Sequence, residues 1–499
     1  MKILSSQHIR EADQYTIANE PVASIDLMER AASAFTDWFI SKFSQDHPVK
    51  IFCGIGNNGG DGLAIARMLS EKKYAVEVFI VRYASTPSED FTINEQRLRK
   101  LNIKIIEIKN GDNTPLIHEN EIVIDGIFGS GLSRPIEGFT ADLIRHLNQS
   151  SGLKVAIDIP SGLYADKSST SIKFQADYTF TFELPKLTFL FPENLPYVGE
   201  FTVESIGLHP GYLSKAETRN FYVDQDMVRQ MLKPRKKFDH KGTYGHTLII
   251  SGSYGKIGAA VLCANACLRA GAGLVTTYIP SCGYNTMQTG IPEVMVITDK
   301  QETIISDIPD LASYKSIGIG PGIGRHARTS AAVHKLIATS EIPLVLDADA
   351  LNIISENKVW LNELPKNSIL TPHPKEFERL FGTSTDDHAR LDLQREVSSQ
   401  YNIIIVLKRA HTVITAPDGL TFFNSSGNPG MATGGAGDVL TGIITGLVSQ
   451  GYSPLNSVIL GVYLHGLAGD LASENLSQQS LIASDIAHYL GNAVRKILG

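Results

Sequence analysis

A chain of 499 residues is too long for one ordinary hydrophobic core and predicts two or three domains of roughly 100–200 residues each. With 43% hydrophobic and 19% charged residues and 43 glycines, the composition is that of a globular α/β protein rich in tight turns, and it excludes a disordered or fibrous chain. A formal net charge of −7 with no basic block argues against a nucleic-acid partner. Cys53, Cys263, Cys267 and Cys282 have no CxxC spacing and read as reduced core thiols. Met1–Arg10 carries Lys2, His8 and Arg10 and no apolar secretory segment, and no stretch is read as reaching the ~20 apolar residues of a membrane span. The expectation is a cytoplasmic protein with no membrane partner.

The first predicted element is a strand at Ile51–Cys53, followed by the loop Gly54-Ile55-Gly56-Asn57-Asn58-Gly59-Gly60-Asp61-Gly62. Leu63, Ile65, Ala66 and Leu69 recur at helical spacing and predict a helix over Leu63–Lys73, while Val76, Val78 and Ile80 alternate as a strand does. Strands at Ile122–Ile124 and Val155–Ile157 each end in an acid, Asp125 and Asp158, and run into a glycine-containing loop. Ligands of open parallel sheets bind outside the carboxyl ends of the strands, so Asn57–Asp61, Asp125 with Gly129–Pro135, and Asp158–Gly162 are expected to converge on one crevice. Backbone amides of Asn57–Asp61 can cradle a diphosphate ahead of the helix. Taken singly, Asp125 and Asp158 are more plainly read as a helix cap or a loop hydrogen bond. Strands at Tyr178–Phe182 and Glu200–Ile206 close the first domain, and the polar segment His209–Arg219, which has no clear period, puts the boundary near Glu217.

The second half restarts the pattern, with strands at His246–Ile250, Leu274–Ile279, Ser316–Gly320, Pro343–Leu346, Ser368–Leu370 and Ile403–Leu407 and a helix at Gly258–Gly271. Strands alternating with helices again predict α/β architecture with a mostly parallel sheet. Asp438–Val448 presents Val439, Leu440, Ile443, Ile444, Leu447 and Val448 as a buried helix face, and Gly442 and Gly446 allow close packing. Leading into it is Asn428-Pro429-Gly430-Met431-Ala432-Thr433-Gly434-Gly435-Ala436-Gly437-Asp438, a glycine-dense turn whose amides, with the helix dipole, make an anion hole. Asp438 gains nothing from a phosphate by charge, so it reads as a general base for a substrate hydroxyl; the plainer alternative is an acid that merely favours the helix start. His373, between Pro372 and Pro374, is held rigidly at a strand end, and Asp347 and Asp349 read as holders of metal or water or as caps.

The glycine-dense run resembles the glycine-glycine-x-glycine-aspartate signature of the ribokinase-like superfamily. Further matches are Lys241-Gly242 with Gly245, Gly252-Ser253, Gly258-Ala259-Ala260, Leu268 to Val275, Gly320-Pro321-Gly322, Asp347 to Asn352, Thr371 to Glu376 and Lys408 to Thr412. With Asn57-Asn58-Gly59-Gly60-Asp61 and Asp158-Ile159-Pro160-Ser161-Gly162 in the first half, the pattern resembles the bifunctional NAD(P)H-hydrate repair enzymes over nearly the whole chain. That family fuses an NAD(P)HX epimerase to an ADP-dependent (S)-NAD(P)HX dehydratase. Two departures stand out: the signature reads Gly-Gly-Ala-Gly-Asp where a hydroxyl residue or Met often precedes the last glycine, and Arg409 stands where a glycine is common.

The resemblance implies a Rossmann-like three-layer epimerase domain over 1–217 and a ribokinase-like α/β dehydratase domain over 218–499. It implies substrate contacts at Asn57, Asn58, Gly59, Gly60, Asp61, Gly129, Ser130, Gly131, Leu132, Ser133, Arg134, Pro135 and Asp158 in the first domain, and at Ala260, Gly322, His373 and Asp438 in the second. ADP, or ATP, would be held by Lys408, Arg409, Ala410, His411, Thr412 and Gly437, with Mg²⁺ beside its phosphates, and a potassium ion by Asn58, Asp125 and Ser161. Asp158 would be the acid/base group of epimerisation. Asp438 would take the hydroxyl proton of the hydrated coenzyme during phosphoryl transfer, with Gly435, Ala436 and Gly437 amides meeting the developing charge. AMP and phosphate would be released, the substrates would be NADHX and NADPHX, and a homo-oligomer is expected. Two other functions fit the residues: a small-molecule kinase with an accessory first domain, or a chain whose first domain binds a nucleotide or protein without catalysis. Retention of Asp125, Asp158 and the complete Asn-Asn-Gly-Gly-Asp segment argues against the last.

Overall fold

The structure, a computed structural model, describes residues 1–499. Its contacts divide the chain into two compact units, one of Lys2–Thr218 with Asp386–His388 and one of Met1, Arg219–Thr385 and Ala389–Gly499. After a short strand β1 (Lys2–Ile3), the first unit builds a seven-stranded sheet from β2 (Val49–Cys53), β3 (Val76–Val81), β4 (Lys104–Ile108), β5 (Ile122–Gly126), β6 (Leu153–Ile157), β7 (Tyr178–Phe182) and β8 (Glu200–Glu204). The order is β4-β3-β2-β5-β6-β7-β8 and every pair is parallel.

A parallel sheet must be covered on both faces, which is why β2 and β5 are buried at every residue. Ile51, Ile124 and Ile157 point to one side, where Phe35, Phe39, Leu63 and Phe91 cover them from the helices Ser24–Lys42, Asn57–Glu71 and Glu89–Arg99. Phe52, Phe79 and Val123 point to the other, against Leu143 and Leu147 of the helix Gly138–Gln149. These are three layers. The chain order reverses between β2 and β5, so the loops after those strands diverge and leave a crevice at the sheet's carboxyl edge.

The second unit strings β9 (Asn220–Val223), β10 (His246–Ile250), β11 (Leu274–Ile279), β12 (Met295–Thr298), β13 (Ser316–Ile319), β14 (Leu344–Leu346), β15 (Ile369–Leu370), β16 (Ile404–Leu407), β17 (Val413–Thr415) and β18 (Thr421–Asn424) in the order β9-β18-β17-β16-β15-β14-β13-β10-β11-β12. From β16 to β12 all pairs are parallel; β16–β17 and β17–β18 are antiparallel. The helix Ala436–Ser449 runs beneath the sheet, against the helices Ile257–Arg269 and Pro454–Asn475. A Cβ on Gly442 would lie 2.0 Å from the Cys263 carbonyl oxygen, so glycine alone permits that crossing.

Several sequence expectations need correction. Asn57–Gly62 is not a loop: the helix begins at Asn57. The helix Pro454–Asn475, 22 residues, is long and apolar enough to cross a membrane by length and composition, contrary to expectation; 72% of its most apolar stretch is buried in the second unit's core, and apolarity all round marks a core helix. Cys282 is half-buried rather than a core thiol, whereas Cys53, Cys263 and Cys267 are buried. The polar segment after His209 contains a short helix, Pro210–Lys215.

Candidate active sites

In the first unit the glycines determine how closely the helix approaches the sheet. A Cβ on Gly54 would sit 1.9 Å from the Ile127 carbonyl oxygen, one on Gly59 1.7 Å from that of Gly54, and one on Gly62 2.8 Å from Cys53 Sγ. The helix Asn57–Glu71 is thereby pressed onto the ends of β2 and β5. The amide of Gly60 is already committed to the Gly56 carbonyl at 3.0 Å, so the cradle predicted from Asn57–Asp61 is the first turn of a helix. Above it opens a cavity of about 710 Å³. Asn57, Asn58, Asp61, all six residues Gly129, Ser130, Gly131, Leu132, Ser133 and Arg134, and Asp158 line it; Gly59, Gly60 and Pro135 do not. Gly59 and Gly60 are buried, packed against the Gly54 backbone and Met28 respectively.

Asp158 follows β6 in the left-handed region, with φ +64°. Its Oδ1 accepts from Lys186 Nζ at 2.7 Å, Thr181 Oγ1 at 3.2 Å and the Phe182 amide at 3.4 Å. Lys186 is 1% exposed and also donates to Thr181 Oγ1 and the Phe182 carbonyl, so it is anchored from several directions beside the cavity that it lines. The predicted site omitted Lys186. It omitted Asp13 as well, which reaches the cavity from the helix Ser6–Asn19; burial, reinforced by the Asp158 charge and opposed by Lys186, pushes its carboxyl up to about 7. Asp61 is pushed well above the carboxylate range, first by burial and then by Asp158, Asp13 and Asp90.

The three residues expected to hold a monovalent ion come together around one carbonyl. Asn58 Nδ2 donates to Phe128 O at 3.1 Å, and Ser161 Oγ accepts the Phe128 amide at 2.9 Å while donating to Asp125 Oδ1 at 2.7 Å. Asp125 is fully buried; burial raises its carboxyl to about 6 against hydrogen bonds from Ser161 and the Ile127 amide. Asn58 Oδ1 is buried with no hydrogen-bond partner. An orphaned amide oxygen beside a carbonyl, a hydroxyl and a carboxylate is a donor set suited to a hard cation.

In the second unit, Gly435 caps the helix Ala436–Ser449 with φ +92°, and a Cβ there would lie 2.5 Å from Leu262 Cδ1. Asp438 occupies the first turn; burial and the neighbouring Asp347 push its carboxyl up to about 7, opposed by Lys408. Asp347 makes no cap. Its Oδ1 accepts from Lys408 Nζ at 2.7 Å and its Oδ2 from Thr441 Oγ1 at 2.8 Å, so it ties the end of β16 to the glycine-led helix. A Cβ on Gly437 would stand 3.4 Å from Lys408 Nζ, which sets the lysine directly over the helix start. His465, half-buried and lowered to about 4 chiefly by desolvation, bonds the Ala436 carbonyl at 3.0 Å and fixes the same turn.

His373 caps the helix Pro374–Phe381: its Nδ1 accepts from the Lys375 and Glu376 amides, and the Glu376 carboxylate accepts the His373 amide. Its ring is held below the usual histidine range by burial and then by Lys408 and Arg379, so it faces the same charge cluster. Gly322, with φ +67°, accepts Ser253 Oγ at 2.7 Å. Ala260 is fully buried among Ile249, Cys263 and Ile279 and offers no surface to a ligand. In the turn Lys408–Thr412 the left-handed residue is His411, with φ +52°, while Arg409 has no positive φ and requires no glycine. His411 Nδ1 meets the Asn424 carbonyl at 3.0 Å, and Thr412 Oγ1 donates to the Arg409 carbonyl at 3.0 Å. No three His, Cys, Asp or Glu side chains converge as a metal cage.

A family model described as NAD(P)H-hydrate dehydratase matches residues 247–492, and one described as YjeF-related protein N-terminus matches 24–188. The bifunctional NAD(P)H-hydrate repair enzyme of Moorella thermoacetica is 34% identical over 517 aligned residues, covering 100% of this chain and 97% of that one. Its counterpart from Escherichia coli is 33% identical, with 92% and 88% covered. The crystal structure of the ADP/ATP-dependent NAD(P)H-hydrate dehydratase from Bacillus subtilis, co-crystallised with ATP/Mg²⁺, superposes with a TM-score of 0.50 at 30% identity, over 56% of this chain and 98% of that one. A ribokinase-like superfamily protein from Enterococcus faecalis superposes with the same TM-score at 26% identity, covering 56% of this chain. With both units accounted for and full-length relatives above 30% identity, the chain belongs to the bifunctional NAD(P)H-hydrate repair enzyme family.

Proposed function

We propose that residues 1–217 form an NAD(P)HX epimerase and residues 218–499 an ADP-dependent (S)-NAD(P)HX dehydratase, so that the chain returns both epimers of a hydrated coenzyme to NAD(P)H. The observation that carries the reading is Asp438, seated in the first turn of a glycine-led helix beside Lys408 and Asp347 and pushed up to about 7. That value suits proton transfer near neutral pH. In the dehydratase step the substrate hydroxyl attacks the terminal phosphoryl group of ADP and Asp438 takes its proton; the P–O bond to AMP breaks. Phosphate then leaves with the C–O electron pair, a proton is lost from the adjacent carbon, and the reduced ring's double bond is restored. The balance is hydrate plus ADP giving NAD(P)H, AMP and phosphate.

Amides of Gly435 and Gly437 face the transferring group, that of Ala436 being bonded to the Thr433 carbonyl at 3.4 Å, while Lys408 through Thr412 hold the nucleotide and Gly322 and His373 hold the hydrate. Ala260 is left out because it is fully buried. Mg²⁺ would be held chiefly by the nucleotide's phosphates, whose charge it would offset, since no three carboxylate, His or Cys side chains converge on it. In the first unit the hydrate occupies the cavity and Asp158 serves as acid/base group, while Asn58, Asp125 and Ser161 with the Phe128 carbonyl would hold potassium, which would supply positive charge to the cavity. A cytoplasmic location and a symmetric assembly belong to the same proposal. The test is absorbance recovery of the reduced ring when the chain meets hydrated NADH and ADP. Recovery from both epimers is expected, recovery from the S form alone would remove the epimerase, and recovery from neither would favour a small-molecule kinase.

A further inference from the structure

The family model covers residues 24–188, yet the cavity of the first unit is completed by a helix lying before it, Ser6–Asn19. That helix supplies a carboxyl group, Asp13, that no family match assigns. Its side chain lines the cavity with Asp158 and Lys186 and is close enough to both to feel their charges. Epimerisation sets the chemical demand. Water adds to an enamine at the carbon next to nitrogen, because the nitrogen lone pair stabilises the cation formed there, so the hydroxyl to be inverted sits on that carbon. Inversion requires the C–O bond to break and reform on the opposite face. One group must protonate the departing hydroxyl and another must take a proton from the returning water.

Resting on the epimerase reading above, we propose that Asp13 is the proton donor of that pair and Asp158, ion-paired to Lys186, the acceptor. Asp13 gives its proton to the substrate hydroxyl; the C–O pair leaves with oxygen as water, and the nitrogen lone pair forms the C=N bond of an iminium. Water adds to the other face, the C=N π electrons return to nitrogen, and Asp158 takes the proton released. One proton passes from Asp13 to Asp158, and exchange with solvent or a turnover in the opposite sense resets them. Burial, with the Asp158 charge, raises Asp13 to about 7, so a large share carries its proton at neutral pH. Asp61 is also pushed up, chiefly by burial, and the Asp61→Asn variant separates it from Asp13. The charged groups facing this cavity are Arg10 on the same helix, Asp61 on the helix Asn57–Glu71, Asp90 on Glu89–Arg99, Arg134 in the loop after β5, and Asp158, Glu183 and Lys186 at the ends of β6 and β7. Asp90 is tied to Ser24 Oγ at 2.6 Å, Glu183 accepts the Ile206 amide at 2.9 Å, Lys186 is tied to Asp158 at 2.7 Å, and the guanidinium groups keep their protons, which leaves Asp13 and Asp61 as candidate donors.

The experiment uses the full chain and purified R epimer without nucleotide, with R and S forms separated by chromatography. Asp13→Asn is expected to lower the inversion rate about 100-fold or more, as loss of a general acid does. Dehydration of the S epimer with ADP should be unchanged, and the first unit's thermal transition, retained in the variant, reports that unit's folding. The wild-type rate should fall above pH about 7 as Asp13 loses its proton, and that alkaline limb should vanish in Asp13→Asn and return in Asp13→Glu. An Asp13→Asn rate within threefold of wild type with the limb intact would overturn the proposal, as would disappearance of the limb in Asp61→Asn alone. Failure of the wild-type chain to invert the R epimer would instead overturn the epimerase reading itself.

Discussion

Replacing Asp438 by Asn should abolish dehydration and make the second unit more stable, and the gain should depend on pH. The Asp438 carboxyl rises from an ordinary 3.8 to about 7, chiefly by burial. A folded-state value above the unfolded one means that the native protein binds a proton more tightly than the unfolded chain does. Its stabilising protonation is fully present below 3.8 and is lost as pH climbs to about 7. Above that the ionised wild type bears the whole penalty, about 4 kcal/mol at about 1.4 kcal/mol per pH unit. Asn cannot ionise, so the advantage of Asp438→Asn should grow from pH 4 to 7 and level off above. Allowing for relaxation around the mutated side chain, roughly half of that figure, about 2 kcal/mol, should survive, which is on the order of 5 °C in melting temperature. Calorimetry of both proteins at pH 5, 7 and 8.5, following the transition that ADP shifts, measures it. Dehydration of S-NADHX should fall by about 100-fold or more, the contribution of a general base. A variant no more stable than wild type at pH 8.5, or a gain the same at all three pH values, would refute the claim that Asp438 is a strained, desolvated base.

Three further outcomes follow from other contacts. Gly59→Ala places a Cβ 1.7 Å from the Gly54 carbonyl oxygen and should cost at least about 3 kcal/mol in the first unit, seen as loss of its thermal transition while S-form dehydration persists. Exchanging potassium for a bulky organic cation should slow R-to-S conversion and leave dehydration intact, with recovery on adding potassium back; Asn58→Ala, which removes the orphaned buried oxygen, should abolish that response. Asp347→Ala frees Lys408 and Thr441, and should raise KM for ADP roughly tenfold or more, since a hydrogen bond to a charged group is worth about 1.5–3 kcal/mol.

Buried strands were legible because parallel sheets demand predominantly apolar runs: β2, β5, β10 and β16 fall where Ile51–Cys53, Ile122–Ile124, His246–Ile250 and Ile403–Leu407 predict them. Not predicted were β4 and β12, edge strands with half-exposed faces, and β9, β17 and β18, strands of three or four residues at the other end of the second sheet. Asp125, Asp158 and Asp438 were legible because each ends a strand or starts a helix, where a lone acid needs a reason. Their partners were not. Lys186 lies 28 residues beyond Asp158 and Asp347 61 before Lys408, and only the folded sheet makes neighbours of them. Asn57–Gly62 was misread because glycines signal a turn by their own propensity, whereas here Gly54 and Cys53 demand them as the only residues that let a helix lie on the sheet.

The two sites use a lysine in different ways, and the difference matches the tasks assigned to them. In the first unit Lys186 pairs directly with Asp158, the proposed acid/base carboxylate, at 2.7 Å, and stands 1% exposed beneath it. In the second, Lys408 pairs with Asp347 instead, and Asp347 in turn is one of the charges that push Asp438 up to about 7. A lysine spent on a neighbour leaves the base unneutralised in a desolvated turn. A base that must accept a proton beside an arriving polyphosphate profits from that arrangement, because near pH 7 it is protonated half the time and repels the anion less than a fixed carboxylate would. The base that inverts a hydrate carries no such constraint, since no phosphoryl group is transferred there. The logic predicts that Asp347→Asn lowers the pH at which dehydration reaches its plateau, by removing the charge that raises Asp438, while Lys408→Met raises it; a plateau that stays in place in both variants would show that Asp438 takes its protonation from burial alone.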